Sequence, residues 1–150
     1  MDSKVLISSP AFGPKASILT QSLALINIPA HALNNEEALL FELVLKNIYI
    51  LTTNIAGLSI EPGATVDDLR NHHLELMQAV SSDILALQTQ LTGQTFNMAQ
   101  LEKGMIKAFE GDLAHKCMGR SAPARLNRAL ELAEEFNVAV PTLKNIANNI

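Results

Sequence analysis

Lys46, Asn47 and Asn54 interrupt a stretch, Glu36 to Leu58 (EEALLFELVLKNIYILTTNIAGL), that is otherwise nearly all apolar. On a helix Asn47 and Asn54, seven residues apart, share a face. Lys46 lies about 100° away and can pair with Glu42 one turn earlier. Each polar group would cost about 1–3 kcal/mol if buried without a partner, so each must reach solvent, bond within the core or line a pocket. Two amides on one face suit a small polar ligand, and structural hydrogen bonding in the core is the competing reading. A second cluster lies further on. Six of the eleven basic residues (Lys103, Lys107, Lys116, Arg120, Arg125 and Arg128) fall in one segment opposed only by Glu110 and Asp112. That segment carries +4 while the rest of the chain carries −8. Guanidinium groups give planar, charge-assisted hydrogen bonds to a carboxylate or phosphate, so Arg120 and Arg125 are candidate anion partners for the asparagines. A solvated basic surface without a ligand is the alternative.

Other chemistry finds little support. His72 and His73 adjoin, but neighbouring residues on a helix point about 100° apart and do not readily share a metal. His31 and His115 have no partner at ligand spacing. Cys117 beside Lys116 lacks an assigned base, and no metal site is expected. The sequence contains no GxSxG, HExxH, CxxC or phosphate-binding loop, so nucleophilic or metal-dependent catalysis has no motif behind it.

The elements that would position these residues read as helices almost throughout. Lys4 to Ser8 is a short strand-like run closed by Ser9, Pro10 and Gly13. Pro14 to Ile26 has apolar residues at helical spacing, and Pro29 breaks it. Asn34 and Asn35 offer caps for the long helix from Glu36, whose acidic first turn suits the positive end of the dipole. The spacing predicts that this helix is central and largely buried, with an end near Gly57 and a turn at Pro62-Gly63. A third helix runs from Thr65 to about Leu91, with Thr65 as cap, Asp67 and Asp68 in its first turn and Gly93 beyond its end. Asn97 to Phe109 is a fourth and Ala122 to Phe136 a fifth, with Asn137 as C-terminal cap. Gly111 to Ser121 is a loop between them, and Pro141 opens a short last helix. All-α is the fold class this pattern implies, as one domain over residues 1–150.

With 150 residues, 48% of them hydrophobic and 17% charged, the chain has the composition of a globular domain. The stretch at 38–58 has the length of a membrane span, but Glu42, Lys46, Asn47 and Asn54 lie inside it, and a charge near a bilayer centre costs several kcal/mol. A core helix is therefore favoured and no membrane partner is expected. One cysteine and a start without a long apolar signal core (MDSKVLISSPAFG) point to the cytoplasm. Nucleic acid is not an expected partner, since the chain is acidic and nearly free of aromatic residues for base stacking.

The order of these segments resembles the C-terminal helical domain of the ketopantoate reductases, which is of the 6-phosphogluconate dehydrogenase C-terminal type. KVLISSPAFGP, LTQSLALINIP and FELVLKNIYILTTNIAGL follow one another as that family's extended entry, a helix ending in "agi", and a helix with an aromatic, a lysine and two asparagines. LELMQAVSSDILALQTQLTG resembles the next helix, with Asp83 where an acid is usual. GRSAPARLNRALELAEEFNVAVPT resembles the last long helix, a match carried by Asn127, Val138 and Pro141. The resemblance implies a substrate-binding and dimerisation domain of an NADP-dependent oxidoreductase acting on a small 2-keto acid. In it Lys46 would serve as general acid, and Asn47 and Asn54, with Arg120 and Arg125, would hold substrate.

The departures from that pattern are specific. The family places aromatic, Lys, Asn and Asn at intervals of two, four and four residues. Starting at Phe41, Asn47 fits, but Leu43 and Leu51 replace the lysine and second asparagine. With Lys46 as the lysine, Asn54 fits, but Val44 and Ile50 fill the other places. A glutamate expected before the last long helix is absent from RSAPAR, so the acid–base set is incomplete. The dinucleotide-binding half with its GxGxxG is also missing, and the chain starts at what would be that half's last strand. The expectation is a domain inactive by itself, binding no cofactor alone. The missing half leaves open a domain of a longer protein, a chain that works beside a separate partner and a degenerate relative. NADP is implied only where a Rossmann partner exists, cofactor-binding residues are unassigned, and a homodimer and a small anionic keto acid are the expected partners. The alternative class is a non-enzymatic helical self-association or interaction module.

Overall fold

A computed structural model describes residues 7–150 of the chain. Its elements, in order, are β1 (Ser9–Ala11), α1 (Ala16–Leu25), β2 (Ala30–Ala32), α2 (Glu36–Ala56), α3 (Val66–His72), α4 (Leu74–Thr92), α5 (Met98–Gly111), α6 (Ala122–Glu135) and α7 (Pro141–Ala147). Among the described residues the chain is all-α apart from one small two-stranded sheet. It groups into two compact units, Met1–Leu45 and Lys46–Ile150, with α2 running from the first into the second.

In the first unit β1 and β2 are parallel, Ser9 lying opposite Ala30 and Ala11 opposite Ala32, with α1 as the connection. The Ser9 amide donates to the Pro29 carbonyl at 2.9 Å and the Leu33 amide to Ala11 at 2.8 Å. The strand-like run expected at Lys4 to Ser8 falls partly outside the described residues. Ile7 and Ser8 are not in a strand, and β1 occupies the next three residues. Neither strand shows in the sequence, because three residues are too few for an alternating pattern and proline precedes or interrupts each. Asn27 adopts a left-handed conformation (φ 57°) that ends α1, and the Ile28 amide reaches back to the Leu23 carbonyl at 3.0 Å. At the start of α2 the Asn35 side chain accepts from the Ala38 amide at 2.8 Å, the expected cap.

The expectation that α2 is central and largely buried needs correction. From Thr52 to Ala56 every residue is buried, and Ile48 and Val44 join them. Glu36 to Leu43 are exposed or only half-buried. It is also the one helix among the described residues long and apolar enough to cross a membrane, with a third of that window buried. The physical reason for the gradient is size: the first unit has too few elements to enclose a helix all round.

In the second unit Ile48, Ile55, Leu69, Met77, Ile84, Leu101, Met105, Phe109, Leu126 and Leu143 form the core. The Tyr49 and Phe109 rings meet at 5.8 Å in a tilted pair. The helix expected over Thr65 to Leu91 divides at His73 (φ −131°, ψ 35°) into α3 and α4. Hydrogen bonding continues across the break, from His73 back to Leu69 and from Met77 back to His73. Thr65 and Asp68 cap α3 reciprocally. The hydroxyl accepts from the Asp68 amide at 3.2 Å, and the carboxylate accepts from the Thr65 amide at 2.9 Å and its hydroxyl at 2.8 Å. Gly93 (φ 66°) and Asn137 (φ 53°) end α4 and α6 as the sequence predicts.

The connection between α5 and α6 is more ordered than a basic surface loop suggests. It runs antiparallel to the start of α3: the Val66 amide donates to His115, the Cys117 amide to Ala64, and Thr65 bridges Lys116. This seats Met118 on Gly57, where an added Cβ would lie 2.8 Å from the Met118 nitrogen.

Candidate functional site

The polar residues of α2 separate. Lys46 is exposed and takes part in none of the ion pairs formed among the described residues. Asn47 is also exposed, and its Nδ2 donates to Gln88 Oε1 on α4 at 3.2 Å. That bond joins two helices far apart in sequence and gives Asn47 a structural partner.

Asn54 behaves differently. It is 8% exposed, and its Nδ2 donates to the Ile50 carbonyl one turn back at 3.0 Å. That bond fixes the amide's orientation and leaves Oδ1 buried with no hydrogen-bond partner among the described residues. A Cβ on Gly119 would sit 3.2 Å from that oxygen. Thr52 Oγ1 on the same helix is likewise buried and unpaired, whereas Thr53 Oγ1 returns its proton to the Tyr49 carbonyl at 2.9 Å. A buried polar atom without a partner costs about 1–3 kcal/mol, so Thr52 and Asn54 are the two unusual residues of this helix, and only Asn54 lies against the α5–α6 connection through Gly119.

Gly119 leads directly into Arg120 and the start of α6. Ser121 precedes the first turn without a side-chain cap, and Pro123 follows. Arg120 is exposed and Arg125 half-buried. Neither forms an ion pair within the described residues, so both guanidinium groups are available at the positive end of α6. The structure thus brings Asn54 beneath the segment that carries Arg120, and it does not bring Lys46 or Asn47 there.

The titrations fit a closed arrangement. Burial pushes the Cys117 thiol up to about 11, helped by the charges of Asp68 and Glu61, so this cysteine is protonated and inert at neutral pH. Burial also raises Tyr49, with smaller contributions from Asp112 and Cys117. The hydrogen bonds from Thr65 hold Asp68 below the ordinary carboxylate range. His73 approaches Glu61 at 3.4 Å and His115 approaches Asp112 at 3.9 Å, both near the surface. Among the described residues no group of three His, Cys, Asp or Glu side chains gathers as a metal site would require.

Two contributors escaped the sequence reading. Gly119 and Gln88 each contact an α2 asparagine, and nothing local in the sequence marks either. Asp83 was visible only through the family pattern. It is buried, and its Oδ2 accepts the Thr142 and Leu143 amides at 2.8 and 3.0 Å, capping α7 from across the core. An acid at the edge of the apolar stripe Met77, Val80, Ile84, Leu87 was the available signal. A concavity of about 540 Å³ lies elsewhere, between α6 and α7, with Glu134, Asn137 and Lys144 on its rim.

No family model, curated protein or solved structure matches the chain.

Proposed function

We propose that this chain is a helical substrate-binding and self-association domain of ketopantoate-reductase type that does not turn substrate over alone. A nucleotide-binding Rossmann domain would supply NADP. The carrying observation is Asn54, whose buried, unpaired carbonyl oxygen lies against Gly119, the residue before Arg120. An acceptor at that place suits the hydroxyl of a hydroxylated 2-keto acid, and Arg120 and Arg125 suit its carboxylate. The oxygen is buried against Gly119, so a ligand meets it only when the segment at Gly119 lifts. Exposed Lys46 and Gln88-bonded Asn47 argue that no general acid is assembled in the chain alone. Localisation in the cytoplasm belongs to the same reading.

Ketopantoate titrated into labelled protein tests the site. Saturable shifts should centre on Asn54 and residues 118–125, and Asn54→Leu should weaken binding about tenfold, the loss of one hydrogen bond of about 1.4 kcal/mol. Absence of saturable binding, or equal binding by Asn54→Leu, refutes the site. The alternative, a non-enzymatic interaction module, is favoured by the apolar side chains that α1 leaves exposed and is the result expected if no keto acid binds.

A further inference from the structure

The first unit has one sheet edge that is blocked and one that is open. In a parallel ladder, alternate residues bond to alternate sides. The bonds Ser9 to Pro29 and Leu33 to Ala11, with the register Pro10 opposite His31, turn the backbone groups of Ser9 and Ala11 toward β2, and those of Pro29, His31 and Leu33 toward β1. The outward residue of β1 is therefore Pro10, which has no amide proton and blunts that edge. The outward residues of β2 are Ala30 and Ala32, whose backbone groups have no partner among the described residues.

On α1, which connects these strands, Ile18, Leu19 and Leu25, with Ile26 just past the helix end, are 57, 51, 86 and 64% exposed. At 100° per residue these four fall within one arc of the helix, while Ala16 and Leu23 turn toward the strands. Lys15, before the first turn, is the only charge in the whole segment from Ile7 to Asn35.

We propose that a second copy of this chain pairs with the outer edge of β2, antiparallel and centred on His31, about a two-fold axis perpendicular to the sheet. Ala30 then lies opposite Ala32 of the other copy, each pair exchanging two backbone hydrogen bonds. The Ala-His-Ala edge is its own complement and brings no like charges of Asp, Glu, Lys or Arg together. Neighbouring strands lie about 4.8 Å apart, so helices covering the two strand pairs come about 10 Å apart, an ordinary packing distance. Complete burial of these four residues would remove roughly 450 Å² per copy, close to 900 Å² for two, just short of the ~1,000 Å² a biological interface should clear before the paired strands are added. Pro10 on the far edge stops further addition, so assembly closes at two copies.

The proposal gives a surface to the self-association part of the function proposed above and does not depend on the keto-acid site. Light scattering of the full chain at tens of micromolar should give a dimer. Ala32→Pro deletes only an outward amide and leaves the β1–β2 bonds intact, and Leu25→Glu charges the helix face. Each should yield a folded monomer with unchanged circular dichroism. The register has its own readout. At a non-hydrogen-bonded antiparallel pair the two Cα atoms lie about 4.5 Å apart, within the ~4.4–6.8 Å span of disulfides. His31→Cys should therefore cross-link to a covalent dimer with a mild oxidant, and Lys15→Cys should not; native Cys117 is buried and silent. A monomeric wild type, a dimer that survives both substitutions, or His31→Cys that fails to cross-link overturns the proposal. Keto-acid binding retained by a monomeric wild type would show that the pairing surface is wrong and the small-molecule site right.

Discussion

Replacing Gly57 with alanine tests the close approach that holds the α5–α6 connection on the end of α2. The new methyl carbon would lie 2.8 Å from the Met118 nitrogen, 3.0 Å from Cys117 Cβ and 3.0 Å from the Thr53 carbonyl oxygen. Two of these are backbone atoms, and the neighbouring Cys117 amide is anchored to Ala64 at 2.9 Å. The connection cannot swing aside without losing that ladder. Overpacking of this kind costs about 1–3 kcal/mol. Alanine returns about 0.4–1 kcal/mol by restricting the unfolded chain. A net loss of about 1–2 kcal/mol remains, or roughly 2–8 °C in melting temperature for a chain of this size. Thermal unfolding by circular dichroism measures it, and labelling of Cys117 by a thiol reagent reports whether the segment has lifted. Unchanged or raised stability with Cys117 still protected would refute the steric argument. Gly119→Ala, whose Cβ would lie 3.2 Å from an amide oxygen and near no other atom within 4 Å outside its chain neighbours, should cost less.

Asp83→Ala should lower stability by about 2–4 kcal/mol, since it strands two amides that a charged acceptor now satisfies. Asp83→Asn, which keeps an acceptor oxygen, should lose less, and equal losses in urea denaturation would exclude the cap as the cause. Asp68 titrates below its ordinary range, so its contribution to stability is complete above the unfolded value near 3.9 and disappears as pH falls through the folded value. Thr65→Ala should move the Asp68 carboxyl resonance titration upward, and an unmoved curve would contradict the role given to Thr65. The Cys117 thiol, raised to about 11, should react far more slowly in the native protein at pH 8 than in urea, and comparable rates would show that it is not sealed. The chain alone should show no tight NADPH binding by fluorescence titration, because no glycine-rich phosphate loop is present. Low-micromolar affinity would overturn that expectation.

Helix identities and ends were legible where local chemistry decides them. Thr65, Asp68, Gly93, Asn97 and Asn137 each act within one turn of their own position, so the sequence carries the whole signal. The strands were not legible, because Ser9–Ala11 and Ala30–Ala32 owe their pairing to each other across the length of α1. The break at His73 was hidden because the apolar spacing of α3 continues into α4. At the candidate site, shared helical phase placed Asn47 and Asn54 on one face but could not tell what each would meet. Their difference arises from Gln88 and Gly119, partners brought in from distant parts of the chain. Arg120 and Arg125 stood out by charge density, whereas the antiparallel seam that precedes them follows from backbone pairing with Ala64–Val66, which composition does not encode.

The Asp83 cap implies an order of events in folding. A seven-residue segment such as α7 is far too short to hold helical shape by itself, since nucleation costs more than so few turns return. Its first amides find their acceptor only on α4, 59 residues back along the chain. The α7 segment therefore gains its helical structure only after α4 has formed. In hydrogen exchange the Thr142 and Leu143 amides should be protected only as long as α4 stays whole, making them reporters on a helix to which they do not belong.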